Sequence, residues 1–210
     1  TRAGLNNDVY AVTGASVLLP GGRLENRTVR VGDGKIVSVL PSDAVTDETQ
    51  VDATGFILSP GFVDIHLNGG GGASFEAGTD DAFRTVIDTG FQHGTTSVVG
   101  AINTATVEDR LAQLEALDGY YKRDGAGTLL GVHLEGPYYS AGQRGAHHPE
   151  WIREPNPEEY GVWIDRFSDL IRIVTMAPEL PGGLALVRAL SEAGIVPAIG
   201  HSMATDVHVD

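Results

Sequence analysis

His133 and Glu135 lie two positions apart at the end of an apolar run from Thr128 to Leu134, which Gly136-Pro137 then stops. Residues i and i+2 of a strand face the same side, so the imidazole and the carboxylate project together. Neither Gly nor Pro continues a strand well, which puts Glu135 at its C-terminal end. A lone strand-end carboxylate more often caps the next helix or pairs with an arginine. Here two other apolar runs end alike, in Asp64-Ile65-His66-Leu67-Asn68 and in Gly200-His201-Ser202. Glu135 and His201 together offer oxygen and imidazole, the donors a hydrolytic zinc-type centre uses when it keeps a coordination position open. His66 and Asn68 share a strand face by the same spacing, but His with Asn is a weaker metal signature than two His. A His hydrogen-bonded inside a core reads equally well there. The loop Arg144-Gly145-Ala146-His147-His148-Pro149 carries two more imidazoles and a cation past the same strand. His147 reads either as a donor to a developing oxyanion or as a surface loop residue.

Positioning these groups requires a particular order of elements. Residues 10 to 58 carry only short β signals: Tyr10–Leu19, Arg27–Val31, a hairpin turn at Asp33-Gly34, Lys35–Leu40 and Gln50–Leu58. They predict a small, mostly antiparallel, sandwich-like β-domain over 1–58. From Ser59 to Asp210 the grammar is strand, loop, helix, repeated. Strands are expected at Gly61–Leu67, Thr95–Ile102, Leu129–Glu135, Ile171–Met176 and Val196–Ile199. Helices are expected at Asp80–His93, Val107–Lys122, Glu158–Leu170 and Leu184–Ala193. Such alternation means a parallel α/β sheet. No strand-to-helix Gly-x-Gly-x-x-Gly and no Gly-Lys-Ser/Thr phosphate loop occurs, and polar residues end three of the strands. A (β/α)8 TIM-type barrel, with functional residues at its C-terminal mouth, is favoured over an open sheet. That barrel takes about 250 residues. Only about five of its eight units fit between 59 and 210, so the barrel is expected to be incomplete and to leave two apolar strand edges bare.

Composition excludes several classes. The net charge is −14 with no Lys/Arg cluster, which argues against nucleic acid or an anionic membrane as partner. There is no cysteine, hence no disulfide framework and no thiolate metal site, in keeping with a cytoplasmic location. Thr1–Asp8 is polar, and no apolar stretch is long enough to span a bilayer. His93 reads as a helix C-terminal residue, His208 as structural or solvated, and Gly69–Gly72 as a pliable loop.

Ser59-Pro60-Gly61-Phe62-Val63-Asp64-Ile65-His66 resembles the first-strand signature of the amidohydrolase superfamily. Three further runs are similar to its N-acetylglucosamine-6-phosphate deacetylase family: His133 to Tyr138, Thr175-Met176-Ala177-Pro178-Glu179, and Gly200-His201-Ser202-Met203-Ala204. The resemblance implies a metal-dependent barrel beside a β-domain, acting on a phosphorylated amino sugar as a homodimer. By position, Glu135 and His201 resemble two ligands of the catalytic metal, zinc first among candidates that include iron, manganese and cobalt. His147 resembles the residue that helps polarise the acetamide carbonyl, with Gly145 and Ala146 lining the substrate beside it. The third metal histidine, the general-base aspartate and the phosphate-gripping arginine are expected beyond Asp210. His66 with Asn68 lies between the two-metal and one-metal patterns, so a second metal site there is expected to be weak or empty. The nearest alternatives are a cyclic-amide hydrolase, which would place a bridging lysine on Ile171–Met176 where none occurs, and a non-catalytic relative.

Overall fold

The computed structural model describes residues 9–125 and 127–206; Thr1–Asp8 and His208 lie outside them. Contacts divide the chain at Pro60–Gly61 into two compact units.

The first unit is a mixed sheet of β1 (Tyr10–Thr13), β2 (Ser16–Leu19), β3 (Arg23–Gly32), β4 (Lys35–Pro41), β5 (Thr49–Asp52) and β6 (Ile57–Leu58). Strand order is β5-β1-β3-β2-β6, with β4 added on β3. β3 is antiparallel to β1, β2 and β4, whereas β1/β5 and β2/β6 run parallel. The apolar run Tyr10–Leu19 is therefore two strands, not the single one its composition suggests. Gly14 breaks it at φ +76°, and a Cβ there would stand 2.3 Å from Thr54 Oγ1. The Asp33-Gly34 turn forms as expected, both residues at positive φ (51° and 70°), matching the twist of a two-residue hairpin. Ala15, Val17 and Val29 form its buried core.

The second unit opens with β7 (Phe62–Leu67). The polyglycine that follows is not a plain loop: β8 (Gly69–Gly70) and β9 (Ala73–Ser74) pair as a minimal hairpin. Then come α1 (Asp80–Gln92), β10 (Thr95–Ile102), α2 (Val107–Tyr120), β11 (Leu129–Glu135), α3 (Pro157–Phe167), β12 (Ile171–Met176), α4 (Gly183–Glu192) and β13 (Val196–Ile199). The large sheet is parallel in the order β13-β12-β11-β10-β7, a half-barrel of the predicted kind. Local chemistry sets the helix starts. Thr79 and Thr106 cap α1 and α2 by accepting from Ala82 N and Asp109 N, and Asn156 caps α3 ahead of Pro157. α2 ends two residues short of the expected Lys122 and passes into a wider π-helical turn, Tyr121–Gly125.

Val98, Val132, Leu134 and Val174 of the strands pack with Phe83, Leu114, Leu117, Trp163 and Leu186 of the helices in one core. Leu111, expected on the same face of α2, packs at its margin. The outer strands are bare, as the unit count implies: Phe62, Val63, Ile65, Val196 and Ile199 are all exposed.

Candidate metal centre

Glu135 ends β11 with its side chain buried, 7% exposed. Its Oε1 accepts from Asn68 Nδ2 at 2.7 Å and lies 2.8 Å from His66 Nε2. Because a carboxylate only accepts, that His66 nitrogen carries a proton. The i, i+2 spacing on β7 thus does bring His66 and Asn68 to one point, and the point is the Glu135 carboxylate. Burial raises the Glu135 pKa, but hydrogen bonds from Asn68 and His66, with the nearby His147, outweigh it and leave the pKa below the ordinary value. The group is an anion with Oε2 turned toward His147, whose Nε2 is 3.7 Å away.

His147 comes from the loop after β11 and is 9% exposed. Its Nδ1 is 3.1 Å from Thr104 Oγ1. Burial, followed by the adjacent His201, holds its pKa below the ordinary imidazole value, so it is neutral at pH 7. His201 follows β13 at φ +50°. Its Nδ1 lies 2.8 Å from the Gln143 carbonyl; a carbonyl only accepts, so Nδ1 carries a proton, and in the neutral tautomer this leaves the lone pair on Nε2. The His201 ring stacks on Tyr139 with centroids 4.2 Å apart and meets His147 edge-on at 4.8 Å. Gly145 passes over this ring at φ +60°, where a Cβ would sit 3.3 Å from His201 Cε1. One ligand atom from each of Glu135, His147 and His201 lies within 4.8 Å of the others.

His133, buried beside Glu135, takes no part in this cluster. Its Nδ1 donates to Ile65 O at 3.3 Å and its Nε2 accepts from Thr175 Oγ1 at 2.7 Å, so both nitrogens are committed, and its ring walls His66 at 4.6 Å. His148 caps a short 3-10 turn, Pro149–Trp151, and His93 caps α1 through Thr89 O.

Two supporting residues escaped the sequence reading. Arg110, 1% exposed, donates to the carbonyls of Ile102, Asn103 and Glu135, joining the C-terminal ends of β10 and β11. Burial, with a smaller contribution from the nearby Arg153 charge, brings its pKa down to about 10, and it stays charged at pH 7. The signal was present: Arg110 stands four and seven residues before Leu114 and Leu117, on the buried face of α2. Glu179 is the second. Its carboxylate accepts from the Ser140 and Ser202 hydroxyls and from Met203 N. The motif containing it was legible, but its partners, distant in sequence, were not. A cavity of about 660 Å³ adjoins His147, with Glu76, Asn103, Asp109, Gln113 and Trp151 among its walls.

A five-stranded parallel half-barrel with carboxylate and imidazoles at its strand ends defines a class, and the sequence confirms it. The profile of the Amidohydrolase family matches residues 57–206, and the chain belongs to that family. Within it, the chain is 31% identical over 192 residues to an N-acetylglucosamine-6-phosphate deacetylase of Lysinibacillus sphaericus, covering 90% of this chain and 49% of that one. It is 34% identical to the human protein of the same name, covering 89% and 48%. A mutant of the Mycobacterium smegmatis deacetylase, solved in complex with N-acetyl-D-glucosamine-6-phosphate, superimposes with TM-score 0.84 at 35% identity, covering 95% of this chain and 51% of that structure. The chain spans about half the length of the curated relatives it matches.

Proposed function

We propose that this chain serves the hydrolysis of the acetamide of N-acetylglucosamine-6-phosphate to glucosamine-6-phosphate and acetate, with one divalent ion on Glu135 and His201. The convergence of Glu135, His147 and His201 within 4.8 Å carries the reading. The donor set suits zinc, and iron, manganese or cobalt as alternatives: one ionised carboxylate oxygen, and an imidazole whose other nitrogen is locked to a carbonyl. Bound there, the ion would supply a Lewis acid and a water of lowered pKa.

The remaining work falls to side chains. His66 and Asn68 hold Glu135 Oε1 and so leave Oε2 to turn toward the centre. The pairing of His66 with Asn68, one imidazole beside one neutral amide, supports a second metal site that is weak or empty. When Thr104 donates to His147 Nδ1, Nε2–H is left as a donor aimed at the acetamide oxygen as charge develops on it. The opposite tautomer would make His147 a third ligand, which the 4.8 Å cluster also accommodates; His147→Asn separates the two. The cavity beside His147, lined by Ala146, supports the placement of substrate next to Ala146 and the preceding Gly145, its amide and carboxyl groups suiting sugar hydroxyls. Its Glu76 and Asp109 do not suit a phosphate. A homodimer in the cytoplasm completes the reading. The absence of cysteine and, among the described residues, of any helix long and apolar enough to cross a membrane supports the location.

The test is acetate release from N-acetylglucosamine-6-phosphate by the full chain, with and without a chelator. Chelator-sensitive release is expected. Metal-loaded protein that releases no acetate from this sugar but cleaves a cyclic amide would overturn the substrate assignment.

A further inference from the structure

The Thr175–Glu179 motif contributes no group to the cluster just described, yet its last residue is engaged by both loops that flank His201. Ser140, five residues beyond Glu135, donates its hydroxyl to Glu179 Oε1. Ser202, next to His201, donates to Oε2 at 2.6 Å, and Met203 N donates to Oε1 at 2.6 Å. The same loops are joined directly, Ser140 N donating to His201 O at 3.0 Å and Gln143 O accepting from His201 Nδ1 at 2.8 Å. His201 itself sits at φ +50°, a conformation that a residue with a Cβ holds only when its surroundings impose it. Around it, the Glu179 carboxylate accepts from the loop on each side.

We infer that Glu179 is a positioning residue for the metal centre: it clamps the loop after β11 to the loop after β13, so that His201 presents Nε2 to the ion beside Glu135. The inference rests on the metal-centre reading above and adds a residue to it. Partial burial raises the Glu179 pKa, but the Ser140, Ser202 and Met203 donors outweigh it and bring the value down to about 2, so the clamp is anionic at every pH at which imidazole could bind a metal. Outer groups that orient a ligating histidine typically govern metal affinity by about 10–100-fold.

The experiment is titration of the metal-free full chain with Co²⁺, read by visible absorption, alongside thermal unfolding of the metal-free protein. Glu179→Ala is expected to weaken Co²⁺ binding about 10–100-fold and to alter the absorption envelope, while the metal-free protein keeps a cooperative transition. Ser202→Ala, which removes one donor only, is expected to move affinity the same way by less, and it serves if Glu179→Ala does not fold. Glu179→Gln, with one acceptor oxygen, is expected to fall between wild type and Ala. Unchanged affinity and spectrum in folded Glu179→Ala, or in Ser202→Ala where the first does not fold, would overturn the clamp. So would a lowered melting temperature with unchanged affinity. Because Co²⁺ uptake is read without substrate, failure of the deacetylase assignment would leave this result standing; wild-type protein that takes up no Co²⁺ would remove the metal centre and the clamp together.

Discussion

The two faces of the second unit's sheet are built by different rules. Toward the helices, Val98, Val132, Leu134 and Val174 meet Leu114, Leu117 and Trp163 in a continuous apolar layer. On the other face, His133 and Glu135 of β11 and Thr175 of β12 alternate with them, and His66 of β7 and Asn68 just beyond it reach Glu135, through single hydrogen bonds of 2.7–2.8 Å. The first face is many interchangeable contacts that exclude water. The second is a few directional ones, each with a named partner. Strand periodicity lets one segment serve both, so stability and chemistry separate by face along a strand. Mutations on the two faces should therefore fail in different ways.

The largest effect is expected on the polar face. Glu135→Gln should abolish activity and bound metal together, with little change in the melting temperature of the metal-free protein; wild-type metal content in that variant would remove Glu135 from the ligand set. Trp163→Ala, on the apolar face and 1% exposed, should cost about 3–5 kcal/mol in denaturant unfolding without altering metal per folded chain. His147→Asn should lower kcat by about 100-fold with metal retained; loss of metal instead would make His147 the third ligand. Arg110→Met tests where the faces join. Its three carbonyls lose their donor, and unfolding experiments should register about 1–2 kcal/mol.

The smallest effect concerns pH. The folded Glu179 pKa, about 2, lies below the 4.5 of an unperturbed glutamate. Its contribution to stability is therefore complete above about pH 4.5 and is lost as pH falls toward 2. Carboxyl ¹³C titration of Glu179 should give a midpoint near 2; a midpoint near 4.5 would show the three donors to be absent in solution.

The separation by face also explains what could be read from the chain. The bounds of β10, β11, β12 and β13 coincide with their apolar runs, because a strand of a parallel sheet is a near-continuous apolar segment ended by turn residues, even at the exposed β13. The strand-end positions of Glu135 and His201 followed from the same punctuation. Tyr10–Leu19 misled because composition does not report the left-handed turn at Gly14. Gly69–Gly72 misled because a two-residue ladder leaves no periodicity. The bonds of Asn68 to Glu135, of Arg110 to the Glu135 carbonyl and of Ser202 and Met203 to Glu179 join residues 23 to 67 positions apart, and no local pattern encodes them. Asn68 was the instructive case: its residue type suggested a weak ligand for a second metal, and nothing in the local sequence indicated that its amide donates to the Glu135 carboxylate.

Anomalous diffraction at the absorption edge of the bound metal, from crystals of the full chain, tests the central claim most directly. The account predicts one peak, bonded to a Glu135 oxygen and to His201 Nε2 at about 2.0–2.2 Å. A peak on His66 and Asn68 instead, or a fully metal-loaded protein with none at Glu135, would contradict it.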